Sequence, residues 1–117
     1  MVQLPNQKNF TTAAGPVWRV TFTIPADITG MAWEFVIRIN AEDQSEPPLV
    51  RVTETSSTQG QIAANVTAST VQVTLTPAAT RPLGKGIWAH ALYSDANTDN
   101  EIGWVAGTFT TQAIAAP

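Results

Sequence analysis

The chain has no cysteine, which excludes a disulfide framework and any thiolate metal site and leaves core packing to supply stability. Charge is scarce as well, at 13% of the 117 residues, with a net value of -3. The six basic residues, Lys8, Arg19, Arg38, Arg51, Arg81 and Lys85, are scattered, so no patch favours counterion release from a phosphate backbone and nucleic acid is not an expected partner. No stretch approaches the roughly 20 apolar residues of a membrane span. Residues 1–15 lack the basic start and apolar centre of a signal peptide, so no membrane partner is expected and synthesis in a cytoplasm is. Glycine-rich phosphate loops are missing too, because Gly84-Lys85-Gly86 has neither the spacing nor the helix of a P-loop.

What the sequence does contain is alternation. Trp18, Val20, Phe22 and Ile24 fall on one parity, with Arg19, Thr21 and Thr23 between them; after the turn at Pro25–Gly30, Trp33, Phe35, Ile37 and Ile39 do the same. Side chains repeat every two residues along a strand, so each segment has one face for a core and one for water. Leu49 to Thr55 is a β-branched strand, Gln61 to Val66 a weak one, and Val71, Val73 and Leu75 mark a clean one over Thr70–Thr76. Ile87 to Tyr93 forms the next, with Trp88, His90 and Leu92 inward, and Glu101 to Thr111 closes the set. Pro77–Gly86 allows one helical turn at most. About seven short strands separated by turn signals predict an all-β chain: a single immunoglobulin-like antiparallel β-sandwich, with a small barrel as the alternative. Residues 1–16 are expected to be an extended N-terminal arm, residues 17–112 the sandwich, and residues 113–117 a C-terminal tail.

Catalytic chemistry finds little support. The one histidine, His90, sits mid-strand at core parity with no cysteine to activate, which fits a packed histidine better than a base beside a nucleophile. Glu34, Glu54, and Asp99 with Glu101 are carboxylates of the type a glycosidase pairs, yet acids alternating with Thr and Arg on strand faces are ordinarily solvated. The chain is therefore expected not to be an enzyme and to need no cofactor. Asp95, Asn97, Asp99 and Glu101 stand at alternate positions and form a candidate calcium loop. Asn100 occupies the place where an EF-hand needs glycine, and Asp and Asn are also common turn formers. Four tryptophans suggest a carbohydrate-binding or adhesion module, but Trp18, Trp33 and Trp88 share core parity and are expected to be buried. In the last strand either Ile102, Trp104 and Ala106 or Val105, Phe109 and Thr111 face inward, and an outward Trp104 would serve protein contact. Val2, Leu4 and Phe10 give the arm apolar groups for docking.

Four stretches carry a likeness to a known group. They are Asp27-Ile28-Thr29-Gly30 leading into Trp33-Glu34-Phe35-Val36-Ile37-Arg38; Pro48-Leu49-Val50; Val71-Gln72-Val73-Thr74-Leu75-Thr76 followed by Thr80, Leu83 and Gly86-Ile87-Trp88; and Gly103-Trp104-Val105-Ala106-Gly107-Thr108-Phe109. In this order they resemble small immunoglobulin-like β-sandwich proteins of tailed bacteriophage virions, the broad group that includes baseplate and tail-adaptor domains. The resemblance implies a noncatalytic structural protein of the virion, tail- or baseplate-associated or decorating the capsid. It implies other virion proteins and copies of itself as partners, with localisation in the virion after synthesis in the host cytoplasm.

Overall fold

The computed structural model describes residues 5–117. Nine strands form two sheets: β1 (Asn6–Gln7), β2 (Phe10–Ala14), β3 (Trp18–Thr23), β4 (Trp33–Arg38), β5 (Val50–Thr53), β6 (Gly60–Asn65), β7 (Thr70–Leu75), β8 (Gly86–Ser94) and β9 (Ile102–Ala113). The larger sheet runs β1-β9-β8-β4-β5, with β2 also on β9, and the smaller runs β3-β7-β6. One turn of helix, α1 (Pro77–Thr80), and a 3-10 turn, Arg81–Leu83, join β7 to β8, as the two prolines there predict. Among the described residues no helix is long and apolar enough to cross a membrane.

The predicted inward faces meet between the sheets. Phe22, Ile24, Trp33, Phe35, Ile37, Val71, Val73, Leu75, Leu92 and Phe109 are all buried in one cluster, while Arg19, Thr21 and Thr23 are exposed. Ile39 departs from its expected place, because β4 ends at Arg38 and the side chain beyond it is 54% exposed.

Residues 1–16 do not stand off as a free arm over the part described here. β1 and β2 pair in parallel with β9, Asn6 opposite Val105 and Phe10 opposite Phe109, so the expected seven strands become nine; all other named strand pairs are antiparallel. Local pattern could not reveal these two: Phe10-Thr11-Thr12-Ala13-Ala14 has little apolar bulk, and its partner lies some 99 residues away. The ladder breaks at Lys8 and Asn9, where the Asn9 carboxamide oxygen accepts the Thr108 amide at 3.0 Å and the Lys8 amide donates to the Ala106 carbonyl at 2.9 Å. At the other end, β9 continues to Ala113, opposite Ala14, so the expected tail is strand at its first residue.

In β9 neither candidate face is inward throughout: Ile102 and Trp104 of one and Val105, Phe109 and Thr111 of the other point inward, while Ala106 points outward. The register with β8 shifts by one residue, since Leu92 opposes Val105 but Tyr93 opposes Gly103, leaving Trp104 as the extra residue of a β-bulge. A bulge reverses side-chain parity. Ile102 and Trp104 therefore pack on the core before it, and Val105 and Phe109 after it.

Candidate functional site

Period-two geometry places Glu34, Val36 and Arg38 of β4, Arg51 of β5 and Ala89, Ala91 and Tyr93 of β8 on the outer face of the larger sheet. Register then lines them into rungs: Arg51, Val36, Ala91, Ala106 and Gln7 lie side by side across five strands. Above this rung run Thr53, Glu34 and Tyr93, and below it Arg38, Ala89 and Thr108. Small side chains at the centre and larger ones around them leave an open concavity of about 870 Å³. Val36, on its floor, is only 6% exposed.

One end of this hollow is charged and internally neutralised. Glu46, from the loop after β4, is held by Arg38 Nη2 at 3.1 Å and Arg51 Nη2 at 2.9 Å, and Arg51 Nε lies 3.5 Å from Glu34 Oε2. That last contact is ionic without an aligned hydrogen bond, because Arg51 Nε is buried and has no hydrogen-bond acceptor among the described residues. Hydrogen bonding from Arg38, and secondarily from Arg51, holds the Glu46 carboxyl below its ordinary value. A carboxylate so held is unsuited to donate a proton near neutral pH. The arrangement offers a shaped, uncharged floor and a fixed ionic rim, which serve contact better than proton transfer.

The expected site residues lie elsewhere. Trp104 is 8% exposed, and its indole N–H donates to Ser94 Oγ at 2.9 Å, so it is a core residue and no outward contact. Phe10 is likewise turned into the core, its ring centroid 5.1 Å from both Trp18 and His90. Val2 and Leu4 lie outside the described residues. Asp95, Asn97, Asp99 and Glu101 do not form a calcium cage: Asp95 Oδ1 accepts the Ala32 amide at 3.0 Å and Glu101 Oε1 the Asn97 amide at 2.7 Å. Asp95 and Asn97 hold φ of 50° and 63°, the left-handed conformation these residue types tolerate in turns. Among the described residues no three His, Cys, Asp or Glu side chains converge as metal ligands. The charged rim and alanine floor are not visible in the sequence because Glu34, Arg38 and Arg51 each read as merely solvated on their own strands and Glu46 lies in a loop. The signal was present in the small outward parity of β8, Ala89 and Ala91.

His90 occupies its expected inward place, 3% exposed, between the rings of Phe10, Phe35 and Phe109. Its Nε2 meets the Lys8 carbonyl oxygen at 2.7 Å, so Nε2 carries the proton of the neutral ring, while buried Nδ1 has no partner among the described residues. Burial pushes the imidazole below its ordinary value of 6.5, outweighing the Lys8 contact that favours the charged form. The unfolded chain therefore binds the extra proton first, and stability falls as pH drops below about 6.5, by at most about 1.4 kcal/mol per pH unit. Urea midpoints measured between pH 7 and 5 should fall more steeply for the natural chain than for His90→Gln. Equal slopes would show that His90 does not titrate differently on unfolding.

The fold just described recurs in solved structures. The NK cell receptor Nkp44, described as a triggering partner in natural cytotoxicity, superposes with a TM-score of 0.52 at 13% identity, covering 96% of this chain and 100% of that one. The fold is immunoglobulin-like. This immunoglobulin-like sandwich lacks the cysteine pair that joins the sheets of antibody domains, and aromatic packing around Phe35 and Phe109 holds them instead. No family model matches the chain, and no curated protein matches it. In all, 353 solved chains match the structure, and so widely used a fold does not assign a function.

Proposed function

We propose that this immunoglobulin-like domain is a noncatalytic structural protein of a tailed-bacteriophage virion, tail- or baseplate-associated or decorating the capsid, acting through protein–protein contacts. The observation that carries the contact role is the outer face of the larger sheet, where Val36, Ala89, Ala91 and Ala106 floor a hollow rimmed by ion pairs already satisfied within the chain. A partner protein can cover such a floor without stripping water from Arg38, Arg51, Glu34 or Glu46 as lone charges. The virion assignment rests on the sequence stretches that resemble phage baseplate and tail-adaptor domains. A sparsely charged surface, 13% of residues, suits packing among many neighbours.

The carbohydrate-binding alternative draws less support. It needs an exposed aromatic platform, whereas Trp33 and Trp104 are buried and Trp18 and Trp88 pack against the core. The deciding experiment is mass spectrometry of purified virions from a culture expressing the natural chain, with immunogold labelling to locate it. The protein is expected at fixed stoichiometry on the tail or capsid surface, and Ala91→Arg, which fills the floor with a charge, is expected to reduce its incorporation at least tenfold while leaving its circular dichroism unchanged. Absence of the natural chain from particles overturns the virion assignment, and normal incorporation of Ala91→Arg overturns the role of this face.

A further inference from the structure

The edges of the two sheets are treated unequally. Along β5, side chains stand in for a missing strand: Gln59 Oε1 accepts the Arg51 amide, Gln59 Nε2 donates to the Leu49 carbonyl, and Gln61 Nε2 donates to the Glu54 carbonyl, at 2.9 to 3.1 Å. The β1 and β2 edge is broken at Lys8 and Asn9. On β6 the inward residue Ile62 is already covered, at 1% exposed. Among the described residues β3 has neither side-chain caps nor a break, and of its inward residues Phe22 is buried, at 4% exposed, while Trp18 and Val20 are only partly covered. It is six residues long, pairs only with β7 without a register shift, contains no proline and carries the single charge Arg19. Proteins ordinarily blunt such an edge with charge, proline or a bulge.

The backbone geometry says which groups are free. Ile24 donates its amide to the Ser69 carbonyl at 2.8 Å, continuing the register in which Thr23 faces Thr70. In an antiparallel ladder hydrogen-bonded and non-hydrogen-bonded pairs alternate. Phe22, Val20 and Trp18 therefore also bond β7, and the amides and carbonyls of Arg19, Thr21 and Thr23 point to the open edge. Trp18 and Val20, although at inward parity, are only partly buried, whereas Val71, Val73 and Leu75 beside them on β7 are each 0% exposed. The core is thus incompletely covered along this edge.

We infer that β3 is a self-association edge, at which a second copy of this chain adds its own β3 antiparallel about a two-fold axis at Thr21. The occupant is identified by self-complementarity. In this register Thr21 faces Thr21 of the second copy and Arg19 faces its Thr23, so the free backbone groups meet as about six hydrogen bonds. The same register sets Val20 against Phe22 and Trp18 against Ile24, inward side against inward side, with no like charges opposed. The two small sheets become one continuous sheet of six strands, which is strand addition between identical partners. Because one strand edge buries much less than a standard interface, the dimer is weak, with a dissociation constant on the order of 0.1 mM, and forms fully where copies are concentrated, as in an ordered array.

This pairing deepens the proposed role through copies of itself but needs no particle, so the two can fail separately. Sedimentation of the natural chain from about 10 μM to 1 mM should show the mass rising toward twice the monomer. Thr21→Pro removes only an edge-facing amide, and Thr21→Lys opposes two charges across the axis; each should remain monomeric over that range with an unchanged urea midpoint. Should the proline variant misfold, the lysine variant decides alone. In this cysteine-free chain, Thr21→Cys should form a disulfide-linked dimer under mild oxidation at least tenfold faster than the exposed control Thr11→Cys, because an antiparallel hydrogen-bonded pair brings its Cα atoms within disulfide range. A natural chain that is monomeric at 1 mM, a dimer that survives Thr21→Lys, or equal crosslinking at positions 21 and 11 overturns the inference. A solution dimer absent from virions sinks the virion assignment and leaves this edge standing.

Discussion

Phe35→Ala is expected to lower the stability of the domain by about 3 to 5 kcal/mol, the range for truncating a buried aromatic ring. Phe35 is 0% exposed and lies mid-sheet, opposite Val52 of β5 and Leu92 of β8. Its ring stacks on Trp18 across the sandwich with centroids 5.8 Å apart and on His90 at 5.6 Å. Removing it leaves a cavity facing both sheets, and strands tied into two hydrogen-bonded ladders cannot collapse to fill it. Small domains have about 5 to 15 kcal/mol in total, so much of the margin goes. The urea midpoint should drop by roughly 2 to 3 M with the slope unchanged, whereas Phe35→Leu, which keeps most of the volume, should cost under about 1.5 kcal/mol. A midpoint shift of under about 0.5 M for the alanine variant would mean that this ring does not hold the sheets together.

Gly107→Ala is expected to act almost as strongly by a different route. A Cβ there would lie 2.0 Å from the Lys8 carbonyl oxygen and 2.7 Å from Asn9 Oδ1, and backbone has no rotamer by which to yield. The N-terminal segment must move off β9, which takes the Lys8 carbonyl from His90 Nε2 and leaves a buried donor unpaired. Overpacking and the lost partner together cost roughly 2 to 4 kcal/mol. Hydrogen exchange should show residues 10–14 losing protection while the β3-β7 ladder keeps its own. Gly103→Ala provides the control, since the neighbour there is the Tyr93 ring at 3.4 Å, and its midpoint should stay within about 0.5 kcal/mol of the natural chain. Protected amides at 10–14 in Gly107→Ala would show that the segment is not seated against this glycine.

Both substitutions touch the same aromatic and histidine junction, yet only one of them was legible beforehand. Phe35 announces itself by parity within its own strand. The need for glycine at position 107 arises from a carbonyl some 99 residues earlier in the chain, which no window along β9 contains. Trp104 illustrates the same limit. Its neighbours supply two overlapping apolar parities, and counting offers no means of choosing between them; the bulge turns part of each inward by inserting one residue. The candidate calcium loop misled for a related reason, because Asp and Asn at alternate positions suit a metal cage and a tight turn equally, and the backbone amides of Ala32 and Asn97 took the carboxylates of Asp95 and Glu101. The outer face was half legible: alternation places Glu34 and Arg38 opposite the core face of their strand, but their meeting with Arg51, Glu46 and the alanines of β8 depends on cross-strand register.

By itself, then, the sequence determined the all-β class, the two-faced strands, the inward place of Trp33, Phe35 and His90, and the reliance on packing where no disulfide can form. These follow from side-chain alternation and residue chemistry, which are properties of a few consecutive residues. The tertiary structure alone decided that residues 6–14 join β9, that Trp104 is core, that the Arg38, Glu46, Arg51 and Glu34 side chains form one rim, and that β5 is guarded by glutamines while β3 is left open. Those outcomes depend on which distant strand lies alongside and in what register, and register is settled only when the whole core packs.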